Sequence, residues 1–235
     1  MTSRYSSTSA STSALAMHSH THDTPSSSPG SSRKVWIDPA SLPNEGDIST
    51  VSGNAPGYVK QLNYNTYHSY GVGAEDCFGY KVGKEVKFVD VSINRKLDRQ
   101  ERLEATTVAE VVVNKCMSDL MLHSKGLESI LLLDMLNGAG MLHGGCVAYL
   151  IDNCCSTPLL VLGLIQNVNG VGVTQAMNVL FHSPAPIGTC LQIKSTSVSL
   201  GGRVMTSRCE VVDKHTGRPV ASAFLNKMQP NQTKL

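Results

Sequence analysis

Apolar residues follow two rhythms along this chain, and the switch between them outlines a fold. Around 85–94 and 103–113 the sequence is rich in Val and Thr and partly alternates, as half-buried strands do. Residues 146–165 are instead apolar nearly all round, the pattern of one long buried helix. The alternating rhythm returns at 170–182, 189–200, 203–212 and 219–227. Gly201-Gly202 predicts a two-residue hairpin connection, and 213–217 predicts a second turn. The order is strands, one long helix, then an antiparallel meander, which is an α+β arrangement. One flat covering sheet would leave a face of that helix bare. A curved antiparallel sheet wrapped around a central helix, paired with a second copy, buries both faces.

Composition narrows this picture only a little. The 235 residues suit one ordinary domain with a tail, and a 41% hydrophobic content supports a sizeable core. A formal charge of +2 offers no global attraction for nucleic acid or an anionic membrane. Residues 146–165 approach the length of a bilayer span. Asp152 near the centre would cost about 2.5–3.5 kcal/mol there, so a helix buried in protein is expected. The seven cysteines include adjacent Cys154 and Cys155 in the apolar run, and no secretory signal is evident. Free thiols in a reducing, intracellular compartment are the expectation.

Residues 1–33 are about half Ser and Thr, too polar to offset their own ordering entropy. A disordered tail is expected there. With no acidic residue before Asp23, it is compatible with a mitochondrial transit peptide; the cytoplasm is the other expected location. Thr233-Lys234-Leu235 is distantly similar to the peroxisomal Ser-Lys-Leu address. His18, His20 and His22 alternate as a metal tract would, but a floppy segment gives them no fixed geometry. Residues 34–80 mix Trp36 and several tyrosines with Gly and Pro, predicting an irregular extension with a short helix near 58–67. No chemistry is legible in that extension. The folded domain is placed at 81–230.

Candidate chemistry concentrates in residues 137–153, NGAGMLHGGCVAYLIDN. Gly144 and Gly145 bring bare backbone to a helix start, where free N–H groups stabilise negative charge. Asp152 is the helix's lone carboxylate, and burying it among apolar residues needs a reason. Together they suggest an oxyanion site plus a base. Eight helical residues, however, separate Gly144 from Asp152 by about 12 Å. A reacting carbonyl must lie about 3 Å from its donor with the base beside it. Two antiparallel helices satisfy that requirement, which predicts a site shared between protomers.

The pattern N-x-x-G-x-L-H-G-G, followed by a helical Asp, resembles hotdog-fold acyl-CoA thioesterases of the phenylacetate-pathway and 4-hydroxybenzoyl-CoA type. The likeness runs from about Lys81 to Met228 and includes QAMN at 175–178 and SPAPIG at 183–188. It implies a hotdog fold, hydrolysis of an acyl-CoA, and a homodimer or a tetramer of two dimers. It implies no metal and no cofactor, coenzyme A entering only as part of the substrate. By the same resemblance, the Gly144 N–H polarises the thioester carbonyl, and Asn137 helps hold that carbonyl or the attacking water. Asp152 of the partner subunit acts as general base or as nucleophile. Thr174, where relatives often carry Ser, orients water; Ser156, one turn after Asp152, is a second candidate for that task. His143 braces the loop and Gly145 completes the substrate-binding turn. Gly202 and Arg203 are assigned to the CoA phosphates, with Lys214 and Arg218 behind them. Ala176 and His182 depart from relatives and are expected to alter acyl preference. The insertion at 118–136 is expected to wall the acyl pocket.

Other readings remain open at this level. The glycine pair could serve tight packing, and Asp152 could be a structural carboxylate capped by backbone groups. Cys146, near His143, could be a thiolate nucleophile, although Cys is more often a small buried hydrophobe. A hotdog hydratase or dehydratase, or a non-catalytic module that binds acyl thioesters, fits the same fold. The former usually pairs a catalytic His with an acid, and no second such motif is visible.

Overall fold

The computed structural model describes residues 38–96, 102–114 and 135–229. The Ser/Thr-rich tail with its histidines, the 118–134 part of the insertion and the C-terminal tripeptide lie outside the described residues.

Two helices, α1 (Gly57–Tyr67) and the short α2 (Tyr80–Gly83), precede strands β1 (Lys87–Arg95) and β2 (Leu103–Val112). The long helix α3 (Gly144–Gln166) follows, and then β3 (Val173–Phe181), β4 (Cys190–Leu200), β5 (Val204–Asp213) and β6 (Pro219–Met228). The strands form one sheet in the order β1-β2-β4-β5-β6-β3, antiparallel at every pairing. Alternation does what the sequence pattern requires: Ala105, Thr107, Ala109 and Val111 of β2 are buried while their neighbours are not. The β4–β5 connection is one residue longer than the glycine pair. Leu200 and Val204 flank Gly201, Gly202 and Arg203, with the Gly201 N–H donating to the Val204 carbonyl at 3.2 Å.

Helix α3 begins two residues before the expected start, which makes Gly144 its first residue. His143, extended at φ −70° and ψ 135°, accepts the Gly145 N–H on Nδ1 at 2.9 Å and so caps it. The helix stops where Asn167 takes φ 54° and the Val168 N–H returns to the Gly163 carbonyl. Pro158 inside it has no N–H to give the Cys154 carbonyl. Thr157 Oγ1 donates to that carbonyl instead, at 2.7 Å, and meets Thr107 Oγ1 of β2 at 2.7 Å. The sheet thereby helps the helix pass through its own breaker.

Leu150, Ile151, Cys154 and Cys155 share one buried cluster with Ile193, Cys209 and Leu225 of the sheet. Val161 and Leu162 enter a second cluster with Val59 of α1 and Val91 of β1. Although α3 is long and apolar enough to cross a membrane, most of it is consumed by these contacts. The extension is pinned by two tyrosine hydroxyls: Tyr149 of α3 donates to the Gly71 carbonyl, and Tyr67 to that of Gly83.

After α3 the chain folds back so closely that a Cβ on Gly170 would lie 2.2 Å from the Leu159 carbonyl oxygen. Backbone cannot move aside as a side chain can. Gly170→Ala is expected to lower the unfolding free energy by about 1–3 kcal/mol. Chemical denaturation should show an earlier midpoint at unchanged slope. An unchanged midpoint would mean that this contact is not tight.

At the far side of the sheet, β3 is an edge strand. It pairs with β6 and with no other strand among the described residues, and Val173, Leu180 and Phe181 are 43%, 60% and 59% exposed.

Candidate active site

The loop before α3 is held by its own polar groups. Asn137 Oδ1 accepts the N–H of Ala139 at 2.9 Å and of Met141 at 3.2 Å, and Gly140 turns at φ 74°. The Leu142 N–H is anchored on the Ala185 carbonyl and the His143 N–H on that of Met135. The oxygen of Asn137 is therefore committed, leaving its NH₂ without a partner among the described residues. His143 serves as the helix cap, and it occupies the Gly145 N–H. The Gly145 donor is thereby used within the chain. The Gly144 N–H has no partner among the described residues, as expected for the first residue of a helix. It opens on a cavity lined by Asn137, Val147, Phe181, His182 and Pro184.

Two turns along the helix, Asp152 is half-exposed, and Thr174 Oγ1 donates to its Oδ1 at 2.5 Å. A bulge between Thr174 and Ala176 shifts the β3–β6 register here. Such a bulge re-aims a side chain, and this one brings Thr174 to the helix. Ser156 behaves differently from its expected role in orienting water. Its hydroxyl donates back to the Asp152 carbonyl at 2.5 Å and accepts from Lys227 Nζ at 2.8 Å. Lys227 is the cross-strand partner of Thr174. Burial pushes the Lys227 ammonium below the usual lysine pKa, and the Asp152 charge opposes that shift.

Lys227 is the residue that the sequence reading missed. A lysine near a strand end reads as a solvated charge. Yet Ala221, Ala223 and Leu225 are buried on the inward period of β6, and Lys227 continues it. The extension also carries more than packing. Thr66, Tyr67, Tyr70 and Gly71 line a cavity together with Asn153, Ser156 and Lys227.

Two groups thus come together, and they are separate within one chain. Asn137 and Gly144 face the first cavity; Asp152, Thr174, Ser156 and Lys227 form a cluster beside the second. The basic residues divide as well. Lys214 pairs with Glu110 at 2.7 Å, and Arg218 Nη2 donates to the Pro184 carbonyl at the first cavity's wall. Gly202 and Arg203 sit on the exposed β4–β5 turn and line neither cavity. His182 Nε2 is bonded to Ser222 Oγ at 2.8 Å, while Ala176 follows the bulge on the exposed edge. Cys146 is half-buried against the core. Among the described residues, no three His, Cys, Asp or Glu side chains gather as a metal site.

A family model described as the thioesterase superfamily matches residues 139–220, from the loop before α3 to the start of β6. That stretch is similar to the thioesterase superfamily, and the sheet and helix around it have the hotdog fold. Over 85 residues the chain is 31% identical to acyl-coenzyme A thioesterase 13 of Homo sapiens and equally to that of Pongo abelii. That match spans 36% of this chain and only 58% of those relatives' length. Crystal structures of thioesterase superfamily member 2 share the hotdog fold. The zebra fish protein superposes with a TM-score of 0.52 at 17% identity, covering 73% of this chain and 98% of its own. The Mus musculus protein gives 0.50 at 20% identity, covering 72% and 96%. The sheet wrapped on one long helix bears out the fold expected from sequence.

Proposed function

We propose that this protein is an acyl-CoA thioesterase whose active site is assembled from two protomers. The carrying observation is the split of the site: an open Gly144 N–H faces one cavity, and Asp152, held by Thr174, lies about 12 Å further along the helix. Partial identity with acyl-coenzyme A thioesterase 13 supports an acyl-CoA as substrate.

The edge strand supplies the means of joining the halves. Phe181, near the end of β3, lies beside Gly144, because a Cβ there would be 3.6 Å from its ring. Thr174, near the start of β3, lies beside Asp152. An antiparallel β3–β3 pairing centred between Met177 and Asn178 sets Thr174 of one chain opposite the partner's Phe181. That register brings Asp152 towards Gly144 of the partner subunit and covers the exposed Val173, Leu180 and Phe181.

In the assembled site the thioester oxygen accepts the Gly144 N–H and the Asn137 amide. Asp152 of the partner subunit removes a proton from water as the water attacks the carbonyl carbon. The C–S bond then breaks, the thiolate leaves as CoA, and the proton passes on from the carboxyl group. Thr174 on Oδ1 fixes the carboxylate so that Oδ2 faces the water.

A thiol-release screen with the full chain, across short, long and aromatic acyl-CoAs, tests this reading. Release of free CoA thiol from at least one class is the expected result. Consumption without thiol would identify a hydratase, and no turnover across the panel by a folded dimer would remove the enzymatic reading.

A further inference from the structure

We propose that the cavity beside Asp152 receives the acyl group, and that Lys227 makes it select chains carrying a neutral oxygen acceptor on the third carbon. This inference rests on the thioesterase reading and names the substrate class within it.

The cavity opens to solvent beside Asp152 and mixes apolar walls with one cation. It is built by the helical turns that follow Asp152, through Asn153, Ser156 and Leu160, and is faced by Tyr67 and Tyr70 from the extension. Its place fits the part of a thioester that lies beyond the reacting carbonyl. Tyr67, Tyr70, Leu160 and Val171 suit a hydrocarbon chain, whereas Lys227 does not.

An ammonium has three donors. Lys227 gives one to the neutral Ser156 hydroxyl, and no carboxylate oxygen of the described residues lies within ion-pair distance of it. A desolvated cation with unused donors favours a ligand that supplies an acceptor. Asp152 stands one turn away and already balances the charge at longer range, so a second carboxylate there would be repelled. The acceptor is therefore a neutral oxygen. Its position follows from the helix. Ser156 holds Lys227 about 6 Å beyond Asp152 along the axis, and the carbonyl lies about 3 Å from its base. A hydroxyl or oxo group two carbons past the carbonyl falls between the two. Plain acyl chains offer the ammonium nothing.

The test compares kcat/KM for 3-hydroxyhexanoyl-CoA and hexanoyl-CoA in wild type, Lys227→Met and Lys227→Arg. Wild type is expected to favour the hydroxylated chain by about tenfold, the scale of one charge-assisted hydrogen bond. The ratio should fall to near one in Lys227→Met and be largely kept in Lys227→Arg. Both thioether analogues, which cannot be hydrolysed, are titrated in parallel, so that binding is read even from a variant that turns over poorly. Thiol release with no hydroxyl preference in wild type, or a preference indifferent to Lys227→Met, overturns the inference and leaves the thioesterase reading intact. A hydroxyl preference in thioether binding without any thiol release overturns the hydrolase and leaves the selective pocket standing.

Discussion

Asp152→Asn is expected to lower kcat/KM by about 10²–10⁴-fold, the range that a positioned base contributes. The substitution is nearly isosteric, and the amide oxygen can still accept the Thr174 hydroxyl that now bonds Oδ1 at 2.5 Å. Only the ability to take a proton is removed. Thermal unfolding should therefore move little while turnover collapses, and wild-type turnover in the variant would dismiss Asp152 from the chemistry. Single turnover of the wild type in ¹⁸O-water sharpens the result. Attack by activated water places the label in the released acid at once, whereas an acyl-aspartate intermediate opened at its aspartate carbonyl places it first in the protein.

Gly144→Pro addresses the other half of the site with comparable force. Proline is favourable at the first position of a helix, where its fixed φ suits the turn and no intrahelical bond is lost. His143 is already in the extended conformation that a residue before proline prefers. A Cβ at this position makes only ordinary contact with Phe181, at 3.6 Å. The fold is thus preserved while the open N–H disappears. Loss of one oxyanion donor predicts a fall of about 10²–10³-fold in kcat. Mixing this variant with Asp152→Asn provides the stricter measurement. Mixed dimers contain one site with an intact Gly144 and an intact Asp152 of the partner subunit, so statistical exchange should restore about a quarter of wild-type turnover. A mixture no more active than its components would place both residues in one chain's site, or in none.

The sheet and the helix were legible because apolar residues alternate with period two in β2 and crowd α3, whose burial runs unbroken from Thr157 to Gly163. The open Gly144 N–H followed from general rules of helix starts, whereas the cap at His143, a residue expected only to brace the loop, did not. The arrangement around Asp152 was not legible, for three physical reasons. A one-residue bulge decides where Thr174 points, and no residue type at 175 announces it. Ser156 has the right spacing to share a face with Asp152, but its hydroxyl turns inward to a helix carbonyl and a lysine. Lys227 earns its place through non-local pairing: β6 meets Thr174 only because β3 joins the sheet beside β6. The Tyr67 and Tyr70 walls depend on how the extension folds across α3, which composition alone does not encode.

The unpaired margin of β3 has a consequence for the life of the chain. If its pairing is what completes the site, a newly made copy is chemically silent however well it has folded. Competence then arrives with the second copy, at the moment when the sticky edge is also covered. Dilution would then reverse both together, and loss of turnover would track exposure of the β3 edge.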